Sequence, residues 1–427
     1  MEIVAPNIRI KLASFQLSSC PVHVEGIAGR YTLNVTSCPL GEKERLNVVF
    51  HHEDKPNHQV KVSVKVKAKR SLKLRKWERL MVHTHSESGE KSRGGEYRAF
   101  RLLRKETKIT LLIFKVFDTA NFMSFIPDDT SLGLLTLPGT HNSCAVHGYP
   151  ICQCQQPSTP IVQQLLDGVR FLDIRLRVVG DQLLIYHGPH SQRLSLQALL
   201  PVLHEFLYNH PTETIILSLK EESPPFHPAF SERTYSAFKP YLEEFWFLQE
   251  RIPRLGEVRG KGILLTRFDR DKETQGQWPE GMGIHPSTWP DSKREGFVWD
   301  CGGTPFRIQD WYRVKTFLEI QEKFEAIQRH LIPTLDPSPV LNPAFTLSYT
   351  TASNFPLSLP TLIAKGFGWP SWGLGVEGIN SRLYRQLLEW MVDGKRVRGC
   401  LPMDFYRQCA GEEGLASLLI QMNFIEW

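Results

Sequence analysis

A chain of 427 residues is longer than one ordinary compact domain, so two units are expected, a barrel plus an accessory module. Apolar residues make up 41% and charged residues 22%, close to the averages of folded proteins, which excludes disordered and collagen-like classes. The net charge of +6 is small for this length, and nucleic acid is not an expected partner.

The opening residues MEIVAPNIRIKL lack the basic flank, apolar stretch and small-residue cleavage site of a secretion signal. No apolar run approaches the roughly 18 to 20 residues of a spanning helix, so an intracellular, cytoplasmic location is expected. Eight irregularly placed cysteines without an export signal read as free thiols. The Asn34-Val35-Thr36 sequon is uninformative for the same reason.

From the start to about Phe117 the chain alternates in short segments, Tyr31 to Val35, Val60 to Ala68 and Ile109 to Val116, separated by polar turns. That pattern predicts an all-β, sandwich-like module over residues 1–118. In its middle segment Val60, Val62, Val64 and Val66 share one face, while Lys61, Lys65 and Lys67 share the other. The basic run continues as KRSLKLRKWER, which contains Trp77, and gives way to a polar stretch, HTHSESGEKSRGGE, read as a loop.

Over residues 119–427 strands alternate with amphipathic helices, the α/β pattern of βα units around a parallel sheet. The eight candidate strands are Leu132 to Leu137, Val169 to Arg177, Leu183 to Tyr186, Thr214 to Leu219, Gly262 to Arg267, Pro305 to Asp310, Ala344 to Tyr349 and Arg398 to Asp404. Eight fits a closed TIM (β/α)8-type barrel, made irregular by long Pro- and Trp-containing loops in its second half. Helices are expected over Ser195 to Asn209, Thr316 to Leu331 and Ser381 to Val392. The first carries Leu196, Leu199, Leu200, Leu203, Phe206 and Leu207 on one stripe. No internal repeat is seen.

Barrel enzymes collect reactive groups where strands end, and here the strand ends carry a consistent polar set. The motifs in chain order are LPGTHNS, VRFLDIR, YHG, SLKEE, LLTRF, WPD, IQDWY and PMDF. Together they resemble the X-type catalytic domain of phosphatidylinositol-specific phospholipase C, in its bacterial, metal-independent class. The resemblance runs from about Met123 to the C-terminal region; the N-terminal module has no counterpart in it.

That resemblance implies a phosphodiesterase that cleaves phosphatidylinositol to diacylglycerol and a cyclic inositol phosphate, with peripheral attachment to anionic membranes and no cofactor. His141 would be the general base on the inositol 2-hydroxyl and His187 the general acid on the leaving oxygen, tasks for which imidazole has a suitable pKa. Arg175 would neutralise the phosphate oxygens, standing where the calcium-dependent class has an acidic ligand, so no metal is expected. Asp404 would support His141, and Asp173, two residues from Arg175, would share its face. Lys220, Arg267, Asp310, Tyr312 and Trp289 would bind the inositol headgroup. Asn142 departs from the bacterial pattern, which has an aspartate there supporting the general acid; an amide can hydrogen-bond but cannot stabilise an imidazolium by charge.

Other readings stay open beside this one. Asp173, Asp310 and Lys220 could equally form salt bridges closing the barrel end. A zinc site could be drawn from His141, His147, Cys152, Cys154 and His187, but Cys152-Gln153-Cys154 lacks the usual two-residue gap and no second cysteine pair follows. A glycosyl-phosphatidylinositol anchor cleaver would use the same residues. A glycerophosphodiester enzyme would need metal-binding carboxylates, which Arg175 opposes. A catalytically silent membrane-binding protein is the alternative of a different class. A monomer is expected, and the basic N-terminal strand is a candidate docking face for acidic lipid.

Overall fold

The computed structural model describes residues 2–6, 10–16, 22–27, 30–35, 45–52, 55–65, 77–86, 91–93, 96–104, 108–149, 152–222, 226–268, 281–286, 288–335, 343–370, 374–408 and 414–425. The chain forms two compact units. One is Met1–Phe117 with Arg385–Lys395 and Phe424–Trp427; the other is Asp118–Tyr384 with Arg396–Asn423.

The first unit holds two sheets. The six-stranded one has the order Val22–Ile27, Arg30–Val35, Glu2–Val4, Lys108–Lys115, Tyr97–Arg104 and Trp77–Leu80, with one parallel pairing between Glu2–Val4 and Lys108–Lys115. The five-stranded one has the order Ile10–Gln16, Arg45–His52, Lys55–Lys65, Val82–Ser86 and Lys91–Arg93. Val60 and Val62 are buried while Lys61 and Ser63 are half-exposed, the alternation expected of a strand with one covered face. The side chains beyond Ser63, and residues 66–76 of the basic run, lie outside the described residues. The polar stretch read as a loop instead contributes a hairpin, with His83 opposite Arg93 and His85 opposite Lys91. Polar side chains do not prevent edge pairing, because the ladder satisfies the backbone whatever the side chains are.

Among the described residues of the second unit the main parallel strands are β1 Thr136–Thr140, β2 Phe171–Val179, β3 Ile215–Glu221, β4 Gly262–Arg267, β5 Thr304–Gln309, β6 Phe345–Ser348 and β7 Gly399–Met403, and the short Trp246–Phe247 adds a parallel pairing on the outer edge of β4. Their spatial order is β4-β3-β2-β1-β7-β6-β5. β3 opens as, and β7 is, a nearly continuous apolar run, as strands covered on both faces require, whereas β2 alternates Asp173, Arg175 and Arg177 with apolar residues. Gly139 is needed where β1 meets its neighbours, since a Cβ there would lie 3.0 Å from Phe171 Cβ and 3.2 Å from the Pro402 backbone.

Two expectations are corrected. Leu183 to Tyr186 is not a barrel strand: it lies within Gln182–His187, which folds back antiparallel on β2 and pairs with His190–Ser195. A parallel neighbour needs a crossover of a dozen or more residues, and only a tight turn through Gly180, φ +57, joins these two segments. The barrel is also curled rather than closed. Among the described residues no ladder joins β4 to β5; the gap holds Ile284, which makes a single parallel bridge to Leu265, and β5 is edged instead by the antiparallel strand Phe297–Cys301.

The helix over Leu196–Asn209 begins at Ser195, whose hydroxyl accepts from Ala198 N at 3.2 Å, and buries Leu196, Leu199, Leu200, Leu203, Phe206 and Leu207. Ile320–Leu331 follows a short 3-10 turn capped by Thr316, and the third expected helix is Ile379–Val392. At the start of β2 the fully buried Arg170 donates from Nε and Nη2 to Glu213 Oε2, at 3.0 and 2.8 Å, and from Nη1 to Leu165 O. That end is held by saturated structural pairs. The opposite strand ends carry the polar groups described next.

Candidate active site

His141 follows the last residue of β1, and its backbone N–H donates to Met403 O of β7 at 3.0 Å. The turn after it is fixed by buried amides: Gln155 Nε2 donates to His141 O and Met403 O, while Gln164 Nε2 donates to Ser143 O. Asn142 takes a left-handed conformation, φ 42, which an asparagine tolerates better than most residues.

The His141 ring has its tautomer set by its neighbours. Nδ1 lies 2.9 Å from Asp404 Oδ1, a carboxylate on the residue after β7 that is 2% exposed, so this nitrogen carries the hydrogen. Nε2 faces two donors, Arg175 Nη2 at 3.0 Å and Asn142 Nδ2 at 3.2 Å, and is therefore the accepting nitrogen. His187 ends the hairpin strand, and its Nδ1 lies 2.7 Å from the Cys152 backbone oxygen. A carbonyl can only accept, so Nδ1 again bears the hydrogen and Nε2 is left for chemistry. Burial, then the Arg175 and His141 charges, push the His187 pKa below its ordinary value, against the opposing pull of the Cys152 carbonyl.

Arg175 lies between carboxylates on β2 and beyond β3. Its Nη2 is 3.4 Å from Asp173 Oδ2 and its Nη1 is 3.5 Å from Glu222 Oε2. Burial works against the guanidinium charge, but Asp173 and Glu222 outweigh it and hold the group more firmly protonated than usual. Asp173 is fully buried; burial alone would raise its pKa, yet Arg175 and Arg267 bring it below the usual carboxylate value.

Beside this cluster is a cavity of about 310 Å³ whose lining includes Lys220, Arg267, Trp289, Asp310 and Tyr312, all five residues expected to hold a headgroup. Arg267 links cavity and cluster: Nη1 donates to Tyr349 Oη at 2.9 Å and lies 3.8 Å from Asp173 Oδ1, while its guanidinium sits 3.6 Å over the Trp289 ring. Asp310 Oδ2 accepts from Trp289 Nε1 at 2.9 Å and lies 3.4 Å from Arg267 Nη2. Tyr312 donates its hydroxyl to Asp291 Oδ1 at 2.5 Å. Burial, followed by repulsion from Arg175 and Arg267, lowers the Lys220 pKa to about 8.

Three participants escaped the sequence reading. Glu222 stands in a quoted motif and ties Arg175 to the hairpin, accepting from Gly188 N at 2.7 Å. Tyr349, directly after β6, packs edge-on to His141 with ring centres 6.1 Å apart. Both lie at strand ends and could have been found there. The Cys152 carbonyl leaves no sequence signature, because any residue supplies one. Asn142 is also differently placed from the expectation that tied it to the general acid: its amide donates to His141 Nε2, and only the Cys154 thiol, 3.8 Å from Asn142 Nδ2 and 3.9 Å from His187 Nδ1, relates it to the second ring.

A metal fits this site poorly. His141, Cys154 and Asp404 offer ligand atoms within 4.8 Å of one another. Yet His141 Nδ1 and Asp404 Oδ1 are engaged with each other, and Arg175 occupies Nε2. The Cys154 thiol is fully enclosed, and burial, then the Asp404 charge, drive its pKa well up, keeping it protonated. Arg175 is already the cation of the cluster, within ion-pair distance of Asp173 and Glu222.

Residues 138–268 match the family model described as phosphatidylinositol-specific phospholipase C, X domain. A 1-phosphatidylinositol phosphodiesterase of Listeria monocytogenes is 36% identical over 160 residues, covering 35% of this chain and 49% of the relative. Its namesake from Staphylococcus aureus is 26% identical over 204 residues, covering 45% and 64%. The chain thus spans about half to two thirds of the length of these curated relatives. Solved structures match more widely. Phosphatidylinositol-specific phospholipase C from Listeria monocytogenes superposes with a TM-score of 0.52 at 26% identity, covering 72% of this chain and 99% of that one. The Staphylococcus aureus enzyme gives a TM-score of 0.57 at 20% identity, covering 73% and 98%, a likeness of fold. The segment that forms β1 to β4 and bears both histidines is therefore the part of the chain that matches the X domain of phosphatidylinositol-specific phospholipase C.

Proposed function

We propose that this chain cleaves phosphatidylinositol to diacylglycerol and inositol 1,2-cyclic phosphate, without a metal. The observation that carries the reading is the pair of fixed imidazoles, each held through Nδ1 by an acceptor, with Nε2 of His187 left for substrate and Nε2 of His141 held by Arg175 Nη2 at 3.0 Å. His141 Nε2 takes the proton of the inositol 2-hydroxyl as its oxygen bonds to phosphorus. The bond from phosphorus to the diacylglycerol oxygen breaks, and His187 Nε2 gives that oxygen its proton. Arg175 exchanges its bond to His141 for the non-bridging phosphate oxygens, whose charge grows in the transition state. Lys220, Arg267 and Asp310 bind inositol hydroxyls from the adjoining cavity, with Tyr312 and Trp289 as its walls.

The lowered His187 pKa gives a signed expectation. A general acid must start protonated, so kcat/KM falls as pH rises through the pKa of His187 in the free enzyme. That pKa lies below the ordinary 6.5, so the alkaline limb should already be falling at pH 6.5. A pH profile of phosphatidylinositol cleavage checks this; a plateau extending through pH 8 would contradict it. Asn142→Asp puts a carboxylate against His141 Nε2, with the Cys154 thiol between it and His187, and should move that limb upward by about one pH unit.

The first unit is proposed to be a separate sandwich-like all-β module that docks on acidic membrane, a reading supported by its two sheets and by the Lys-rich sequence of one strand. The second unit offers lipid an apolar surface of its own. Phe355, Leu357, Phe367 and Trp369 are 71%, 53%, 54% and 70% exposed. Phe317 joins two of them, donating its N–H to Leu357 O and lying 5.5 Å from the Phe367 ring. No helix among the described residues is long and apolar enough to cross a membrane. Phe355→Ser with Trp369→Ser should weaken binding to phosphatidylinositol vesicles about tenfold, measured by sedimentation, while turnover of a soluble cyclic phosphate is retained.

A further inference from the structure

A second cavity, of about 330 Å³, is lined by Arg294, Glu295, Arg307, Gln309, Arg329 and His330 together with Ala326, and shares no residue with the cavity beside Arg267. Arg307 lies on β5 between Phe306 and Ile308, which are buried at 1% and 0%, so its side chain leaves the sheet on the other face from theirs. The helix Ile320–Leu331 supplies the opposite wall through Ala326, Arg329 and His330.

Two groups in this cavity lack the partners their chemistry calls for. Among the described residues no carboxylate lies within ion-pair distance of Arg307, whose Nη2 donates to the His330 backbone oxygen at 3.3 Å, and burial pulls its pKa below the usual guanidinium value. His330 is 8% exposed, and neither ring nitrogen has a hydrogen-bond partner. Buried polar groups are ordinarily satisfied, and a buried imidazole with two orphan nitrogens beside an unpaired guanidinium leaves room for a ligand that accepts hydrogen bonds. The remaining cations stand at the rim. Arg294 is 2.5 Å from Glu322 and 4.6 Å from the Trp311 ring, and Arg329 is 4.0 Å from Glu325; both are largely exposed and can turn inward. Glu295, the single acidic lining residue, is exposed. Gln309 is committed elsewhere, its Oε1 accepting from Lys323 Nζ and Trp311 N.

We propose that this cavity binds a phosphate monoester, with the Arg307 fork and the His330 ring donating to the phosphate oxygens and Arg294 and Arg329 closing over it. A guanidinium presents parallel N–H groups that match two oxygens of a phosphate, and three arginines suit a doubly charged group better than a single carboxylate. The volume exceeds what a bare oxyanion needs and leaves space for a small organic substituent. A free ester in solution and one carried on a lipid present the same chemistry to this cavity.

Titration calorimetry of the full chain with glycerol 3-phosphate, and sedimentation with phosphatidylcholine vesicles with and without phosphatidic acid, distinguish the two sources. Arg307→Gln should weaken the binding of the occupying ligand about tenfold or more while phosphatidylinositol turnover stays at the wild-type rate. Arg294→Gln with Arg329→Gln, at exposed positions that do not threaten folding, should weaken it in the same direction. Loss confined to glycerol 3-phosphate assigns a free ester, and loss of phosphatidic acid-dependent sedimentation assigns a lipid headgroup; either supports the site. Wild-type binding of both probes by both variants, or no binding of either probe by the wild-type chain, overturns it.

Discussion

His187→Ala is expected to lower phosphatidylinositol turnover by about 10²- to 10⁴-fold, the usual contribution of a positioned general acid or base, with little change in thermal stability. The ring is half-buried and its one strong bond is to a loop carbonyl that water can reach after truncation. His141→Ala should cost as much in rate but more in stability. It removes the partner of Asp404, a 2% exposed carboxylate, and an orphaned buried acceptor costs about 1–3 kcal/mol or somewhat more when charged. The two effects should not multiply. Base and acid act on one phosphorus in one step, so the double variant should be little slower than the worse single one. Fully multiplicative losses, measured by initial rates on phosphatidylinositol vesicles, would mean that the rings contribute independently, as groups that merely bind substrate would.

Arg175→Gln carries the second large effect. Removing a donor aimed at transition-state charge in a partly dry site typically costs about 10²- to 10³-fold in kcat. Here the same change strands two acids. Asp173 is fully buried and Glu222 nearly so, and Arg175 lies within ion-pair distance of both. Asp173 has its pKa depressed because Arg175 and Arg267 overcome the burial that would raise it. A depressed carboxylate stabilises the fold above its unfolded value, near 3.8, and that contribution disappears as pH falls through the lower folded value. The variant should therefore melt below the wild type at neutral pH, with the gap narrowing below about pH 4. A kcat loss under threefold, or a gap that widens in acid, would count against the role given to this arginine.

Much of this site could be read from the chain because barrel chemistry sits at strand ends and the motifs mark those ends one by one. His141, Lys220, Arg267, Asp310 and Asp404 all lie within a residue or two of the end of their strand, and Arg175 lies inside β2. The hairpin strand was misassigned because a short apolar segment such as Leu183 to Tyr186 has no intrinsic direction. Only the tight turn before it, at Gly180, dictates that it must run back. Closure was likewise illegible, since whether β4 and β5 meet depends on how far the sheet twists and on the Ile284 segment that lies between them. The partner of His187 was beyond reach for another reason: a backbone carbonyl is common to every residue, and the fold alone decides that the one at Cys152 points at the ring. The placement of Asn142 against His141 depends on its left-handed backbone, which residue type alone does not specify.

The central claim is a two-histidine cleavage in which a built-in arginine takes the place of a metal. The most direct measurement is release of cyclic inositol phosphate from phosphatidylinositol vesicles by the full chain, first in chelator and then with calcium added. The account predicts the same rate in both conditions and its loss in His141→Ala and His187→Ala. Product only when calcium is present, or no product in either condition, would contradict it.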